Sequence, residues 1–242
     1  MDPIQTQFHK WLEEKEVHLT EYQISQFEIY YKVLVEWNEK MNLTGITERE
    51  QVYIKHFYDS LSVSFFIDMK GKRNIADIGS GAGFPSIPLK IAFPHLEVTI
   101  VDSLNKRIQF LNHLTSELKL AGVKCIHGRA EDIARQKEHR DLYDMVTARA
   151  VARLAVLNEF CLPFTKVHGN FIAMKGSEVG EELEEAAFSL KELKGKYIHT
   201  HRLDLPDQET SKRHLIVIEK TAATQAKYPR KAGTPLKTPL VR

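Results

Sequence analysis

Cysteine is almost missing from this chain: Cys125 and Cys161 are the two that occur in 242 residues, each among apolar neighbours. That argues against a disulfide-stapled scaffold and against a thiolate metal cluster, so no metal is expected. Also missing is any apolar run approaching the roughly 18 residues of a membrane span. Met1-Asp2-Pro3 does not lead into the basic-then-apolar pattern of an export signal, so a cytoplasmic address without membrane association is expected. Acidic residues are missing from 221–242, which carries Lys227, Arg230, Lys231, Lys237 and Arg242. The net charge of +2 therefore sits in this tail, and the body is slightly acidic. A basic, acid-free stretch interleaved with Tyr228 and prolines reads as an extended, mobile arm that follows a phosphate backbone, with a bland solubility tail as the alternative. On that reading, its removal leaves ligand binding in the body unchanged.

The remainder is ordinary globular sequence, 43% hydrophobic and 27% charged, long enough to bury a real core. Three parts are expected: an N-terminal helical extension over 1–70, a ligand-binding domain over 71–220, and the tail over 221–242. Apolar residues from Tyr22 to Trp37 follow helical spacing, with Thr20 as N-cap and Asn42 to Gly45 as the stop. A second helix is expected from Glu50 to Phe65. Past residue 70, short apolar strands alternate with amphipathic helices. Strands are expected at Asn74–Ile78, Val98–Asp102, Val123–His127, Tyr143–Thr147 and Asn170–Met174, with helices near Phe84–Ala92, Asn105–Leu120, Ala152–Phe164 and Glu181–Leu193. Such alternation predicts an α/β fold with a mostly parallel, Rossmann-like sheet. Two consecutive strands, Tyr197–Leu205 and His214–Glu219, predict an antiparallel pair at its edge.

The most informative stretch is Asp77-Ile78-Gly79-Ser80-Gly81-Ala82-Gly83-Phe84, a strand running into a glycine-rich turn before a helix. Glycines there let a ligand approach the main chain closely. Asp102 ends the next strand, where a carboxylate can accept hydrogen bonds from both hydroxyls of a ribose. A dinucleotide fingerprint spaces its glycines G-x-G-x-x-G around a pyrophosphate; here they fall G-x-G-x-G, with an acid two residues ahead. S-adenosylmethionine has no phosphate to cradle but has an ammonium group that Asp77 can neutralise, directly or through water. The loop favours that cofactor over NAD and over a ligand-free turn.

This loop with Asp102 resembles the class I methyltransferases. Asp77 to Pro88, Val101-Asp102-Ser103-Leu104-Asn105-Lys106-Arg107, His56-Phe57-Tyr58-Asp59, Arg129-Ala130-Glu131 and Thr147-Ala148-Arg149-Ala150 are, more narrowly, similar to the glucose-inhibited division protein B family. Its members are bacterial enzymes that form 7-methylguanosine in the 530 loop of 16S ribosomal RNA. The resemblance implies S-adenosylmethionine as cofactor and 16S ribosomal RNA, or the small-subunit particle, as partner, with no obligate protein partner. It carries over Gly79, Phe84, Ala130, Glu131 and Arg149 as cofactor contacts, beside Asp77, Gly81, Gly83, Asp102 and Ser103 of the loop and strand ends. An ion pair of Arg149 with nearby Asp144 is the structural alternative for that arginine.

Two kinds of base methylation lack their apparatus here. Carbon methylation of a pyrimidine needs a cysteine nucleophile, and both cysteines read as packing residues. Exocyclic-amine methylation uses an Asn/Asp-Pro-Pro-Tyr/Phe turn after the fourth strand, where this chain has Thr147-Ala148-Arg149-Ala150. Guanine N7 has an in-plane lone pair and no proton to lose, so proximity and orientation suffice and no catalytic residue is assigned. Candidate RNA contacts are Asn42, Lys55, His56, Lys106, Arg107, Arg129, Lys227, Arg230 and Lys231. The competing functions are a small-molecule methyltransferase and a non-catalytic RNA-binding assembly protein.

Overall fold

The computed structural model describes residues 1–176 and 179–241; Arg242 of the tail charge lies outside them. The chain opens with α1 (Pro3–Glu13) and α2 (Glu21–Met41), each started by a capping box, Asp2 with Gln5 and Thr20 with Gln23. α2 stops at Asn42, whose left-handed backbone serves as its C-cap. The helix expected from Glu50 to Phe65 is broken into α3 (Arg49–Val52), a π-helical segment Tyr53–Tyr58, α4 (Asp59–Leu61) and a 3-10 turn Ser62–Phe65. A π turn shifts the side-chain register within a helix and is frequent at functional sites. Here it carries Lys55 and His56.

Seven strands follow: β1 (Asn74–Ile78), β2 (Glu97–Asp102), β3 (Val123–His127), β4 (Tyr143–Arg149), β5 (Thr165–Lys175), β6 (Gly195–Asp204) and β7 (Lys212–Lys220). They form one sheet in the order β3-β2-β1-β4-β5-β7-β6. The first five are parallel, and β7 pairs antiparallel with both β5 and β6. The expected edge pair is present, with β7 inserted between β5 and β6. The crossovers are α5 (Ser86–Ala92), α6 (Asn105–Glu117), α7 (Ala130–Ile133) and α8 (Leu154–Cys161), then α9 (Gly180–Glu185) and α10 (Ala187–Glu192) where one helix was expected.

Each face of the sheet carries its own apolar core. α1, α2, α5 and α6 cover one face, joining Phe8, Phe27, Tyr30 and Phe57 to Ile75, Val98 and Ile100. The N-terminal helices thus share the core of the sheet. Two glutamines fasten α2 to it: Gln23 Nε2 donates to the Ile91 carbonyl and Gln26 Nε2 to the Leu118 carbonyl, both at 2.7 Å. α8 and α10 cover the other face with Phe160, Leu157 and Leu190 against Val146, Phe171 and Ile218.

The tail departs from its expectation as a mobile arm. It folds back over α8 and ends in a short helix, α11 (Thr234–Lys237). Arg140 donates to the carbonyls of Thr224, Gln225 and Tyr228, and Arg135 to that of Pro229. Tyr228 and Leu240 are buried in the α8 core. Arg230, a candidate RNA contact, spends its guanidinium on both oxygens of fully buried Glu159. Lys227 pairs with Glu192 at 2.8 Å. A buried carboxylate left alone is costly, which is why Glu159 captures this part of the tail. Lys231 remains exposed.

Candidate functional site

The loop from Gly79 to Phe84 leaves β1 at the carboxyl edge of the sheet, beside β4, where the strand order reverses. In open α/β sheets ligands bind at such a switch point. Gly79, Gly81 and Gly83 all have positive φ. At Gly83 the constraint is doubled, because an added Cβ would lie 2.7 Å from the Tyr30 hydroxyl. At Gly81 it would meet nothing within 4 Å, so the loop backbone borders open space there. The turn is held by the Gly83 and Phe84 amides on the Ser80 carbonyl and by Tyr30, whose hydroxyl donates to the Ala82 carbonyl at 2.5 Å.

Three hollows lie along this edge and share wall residues. The first, about 140 Å³, is bordered by Gly79, Ser103, Arg129, Ala130, Glu131 and Leu236. The second, about 180 Å³, lies over the glycine loop between Thr44, Phe84 and Arg107. The third, about 440 Å³, is lined by Lys55, His56, Asp59, Arg149, Lys175 and Arg213. Gly79 is common to the first two, and His56 and Arg149 to the last two.

Asp102, 2% exposed, accepts from the Leu104 amide on Oδ1 and from the Gly81 amide and Arg107 on Oδ2. Arg107, expected at the RNA, thus braces the cofactor loop. Asp77 is fully buried behind the loop and borders none of the three hollows. Its Oδ2 accepts from the Ser86 amide at 3.2 Å, while its Oδ1 has no hydrogen-bond partner. Burial pushes its carboxyl up to about 6, against the opposing pull of the nearby Ser86 and Ser80 groups. An orphan oxygen here is the complement of an ammonium ion, or of a water that carries its hydrogen bond. With the open backbone at Gly81, these residues fit S-adenosylmethionine.

At the other end, Phe84 stacks between Tyr30 and His56, with the Arg149 guanidinium 4.8 Å from its ring centre. Burial and Arg149 push His56 down to about 3, so its ring is neutral, with Nε2 2.8 Å from the Thr44 hydroxyl. Arg149 pairs with Asp59 at 3.0 Å and not with Asp144, which is taken by Lys166. Asp59 also faces Arg213 at 3.3 Å. Sequence reading did not single out Asp59, Arg213, Thr44 or Leu236. The His56-Phe57-Tyr58-Asp59 segment held the signal for Asp59 and the Asn42-Leu43-Thr44 segment that for Thr44, whereas no local pattern marks Arg213 or Leu236.

Of the remaining expected residues, Asn42 and Lys106 are exposed at the end of α2 and on α6. Lys55, drawn toward Asp207 and Glu209, borders the third hollow. Glu131, 2% exposed, accepts from the Gly233 amide at 2.8 Å, which ties the tail to the first hollow.

A glycine-rich loop and a strand-end carboxylate at the switch point of a 3-2-1-4-5-7-6 sheet define a class I methyltransferase. Residues 23–216 match the family described as GidB, rRNA small subunit methyltransferase G, and the chain belongs to that family. It is therefore an S-adenosylmethionine-dependent enzyme. Among its relatives, a ribosomal RNA small subunit methyltransferase G from Halalkalibacterium halodurans is 57% identical, over 97% of this chain and 98% of the relative. One of the same name from Bacillus licheniformis is 55% identical, over 97% and 98%. Solved structures share the fold at low identity. The M. jannaschii TYW2 complex with AdoMet has a TM-score of 0.51 at 17% identity, covering 68% of this chain and 74% of that one. A SAM-dependent O-methyltransferase from Thermotoga maritima has 0.51 at 16%, covering 79% and 72%.

Proposed function

We propose that this chain transfers the methyl group of S-adenosylmethionine directly to N7 of a guanine in the 530 loop of 16S ribosomal RNA. The cofactor supplies an electrophilic methyl on a sulfonium. The line of hollows carries this reading: they follow one another from the Glu131 end, past the glycine loop, to Arg149, each sharing wall residues with the next. In this assignment Ala130, Glu131, Ser103 and Asp102 hold the nucleoside end of the cofactor, Gly79, Gly81 and Asp77 its amino-acid end, and Phe84 and Arg149 flank the reacting centre. The target base enters the hollow beside Lys55 and His56.

N7 is favoured by what the groups at that end can do. Its lone pair is already nucleophilic, so alignment is the main requirement. Neutral His56, locked between Thr44 and Arg149, keeps that wall rigid. Neither cysteine is poised for attack. Cys161 is fully buried in α8, and burial holds its thiol well above the ordinary range. Cys125 lies in β3, with its thiol pushed up to about 11. A Cys125→Ala, Cys161→Ala chain that folds is expected to retain methyl transfer. Its product on a small-subunit RNA fragment, digested to nucleosides, should be 7-methylguanosine. Loss of transfer with cofactor binding intact would point to covalent catalysis, and a different methylated nucleoside would refute N7.

A further inference from the structure

We propose that Leu236 positions the cofactor, covering one face of its adenine, and that residues 228–240 form a wall of the cofactor cleft. The proposal rests on the S-adenosylmethionine reading above. Four separate attachments fix this segment. Arg140 holds the Tyr228 carbonyl, Arg230 is clamped on buried Glu159, the Gly233 amide is bonded to Glu131, and Leu240 is buried in the core. Glu131 is also the residue that family resemblance assigns to the cofactor, so one carboxylate joins the segment to the site.

On this immobilised turn, between buried Pro235 and buried Leu240, Leu236 is left 51% exposed. It borders the first hollow, whose other apolar walls are Ile78, Val101, Ala130, Phe160 and Val151, the last itself 37% exposed. Two part-exposed apolar side chains, Leu236 and Val151, over a concave slot at the switch point suit a flat apolar ligand. The slot, about 140 Å³, lies beyond Gly79 from the glycine loop. It shares no lining residue with the third hollow, and the glycine-loop hollow lies between them in the series of shared walls. Adenine is the flat, uncharged part of S-adenosylmethionine, and this end of the groove suits it.

The test uses the full chain with Leu236→Ala and measures binding of S-adenosylmethionine and of 5′-methylthioadenosine, which has the adenine but no amino-acid end. Leu236→Ala should weaken both by the same factor, about tenfold, as expected for a side chain that loses contact with a buried ligand. The Tm of the ligand-free protein should not move, whereas the upshift produced by the cofactor should shrink. Leu236→Met should restore most of the affinity. RNA affinity without cofactor, and its salt dependence, should match the wild type. Wild-type cofactor affinity in Leu236→Ala, or a loss confined to RNA binding, would overturn the proposal. Failure of the wild-type chain to bind either ligand would instead sink the cofactor reading, and this proposal with it.

Discussion

Asp77 and His56 are buried ionisable groups that pull stability in opposite directions with pH. Asp77 is shifted from 3.8 up to about 6, so between those values the folded chain holds a proton that the unfolded chain has released. Its contribution to stability is present at low pH and is lost as pH rises through that window. His56 is shifted from 6.5 down to about 3, so its effect is a loss of stability as pH falls between those values. The two largely offset between about pH 4 and 6. Asp77→Asn should therefore lose stability relative to the wild type as pH is lowered from 6 to 4, by up to ~1.4 kcal/mol per unit, in urea melts at stepped pH. Since the cofactor ammonium needs the carboxylate ionised, wild-type affinity for S-adenosylmethionine should fall below about pH 6, and Asp77→Asn should bind weakly with a flat profile. A flat wild-type profile would remove Asp77 from cofactor recognition. The sequence marked Asp77 as a carboxylate able to neutralise an ammonium group; that it lies fully buried behind the loop depends on α5 and Ser86 packing over it. Likewise Arg149 was legible as a strand-end arginine, but its partner, Asp59, comes from a helix 90 residues away.

Among elements, the glycine loop and α2 are a matched pair. Tyr30 reaches from α2 to the Ala82 carbonyl and occupies the space that a side chain at Gly83 would need. Gly83→Ala should therefore impose a strained positive φ and displace Tyr30, costing about 1–3 kcal/mol and weakening cofactor binding several-fold. Thermal melts and calorimetry read both, and an unchanged Kd would mean that the loop tolerates the shift. The central strands were legible because a parallel sheet buried on both faces leaves near-continuous apolar runs, as at β1, and the limits of β1 and of edge strand β3 match their expected ones. The π turn at Tyr53–Tyr58 was not, since its apolar spacing also fits a regular helix. Nor was α11, four residues in a stretch of proline and lysine.

Across the whole molecule, composition does not tell whether a cation of the tail is free or spent. Arg230 and Lys227 are occupied by Glu159 and Glu192. Exposed Lys106 and Lys231 remain as candidates for phosphate contacts around the groove. Lys106→Ala combined with Lys231→Ala should flatten the slope of log RNA affinity against log salt by roughly 1.4, about 0.7 for each single-strand phosphate contact, while leaving cofactor Kd unchanged. An unaltered slope in fluorescence anisotropy would place the RNA on another face.

Whether this chain methylates N7 of a guanine in small-subunit RNA is read by mapping that RNA in cells. Ribosomal RNA from cells with and without this chain should differ by one methyl group on a guanine of the 530 loop. At that base the RNA from expressing cells alone should break after reduction and amine treatment, because the N7-methylated ring is cationic. Identical masses in the two RNAs, or a methylated base that resists this cleavage, would contradict the account.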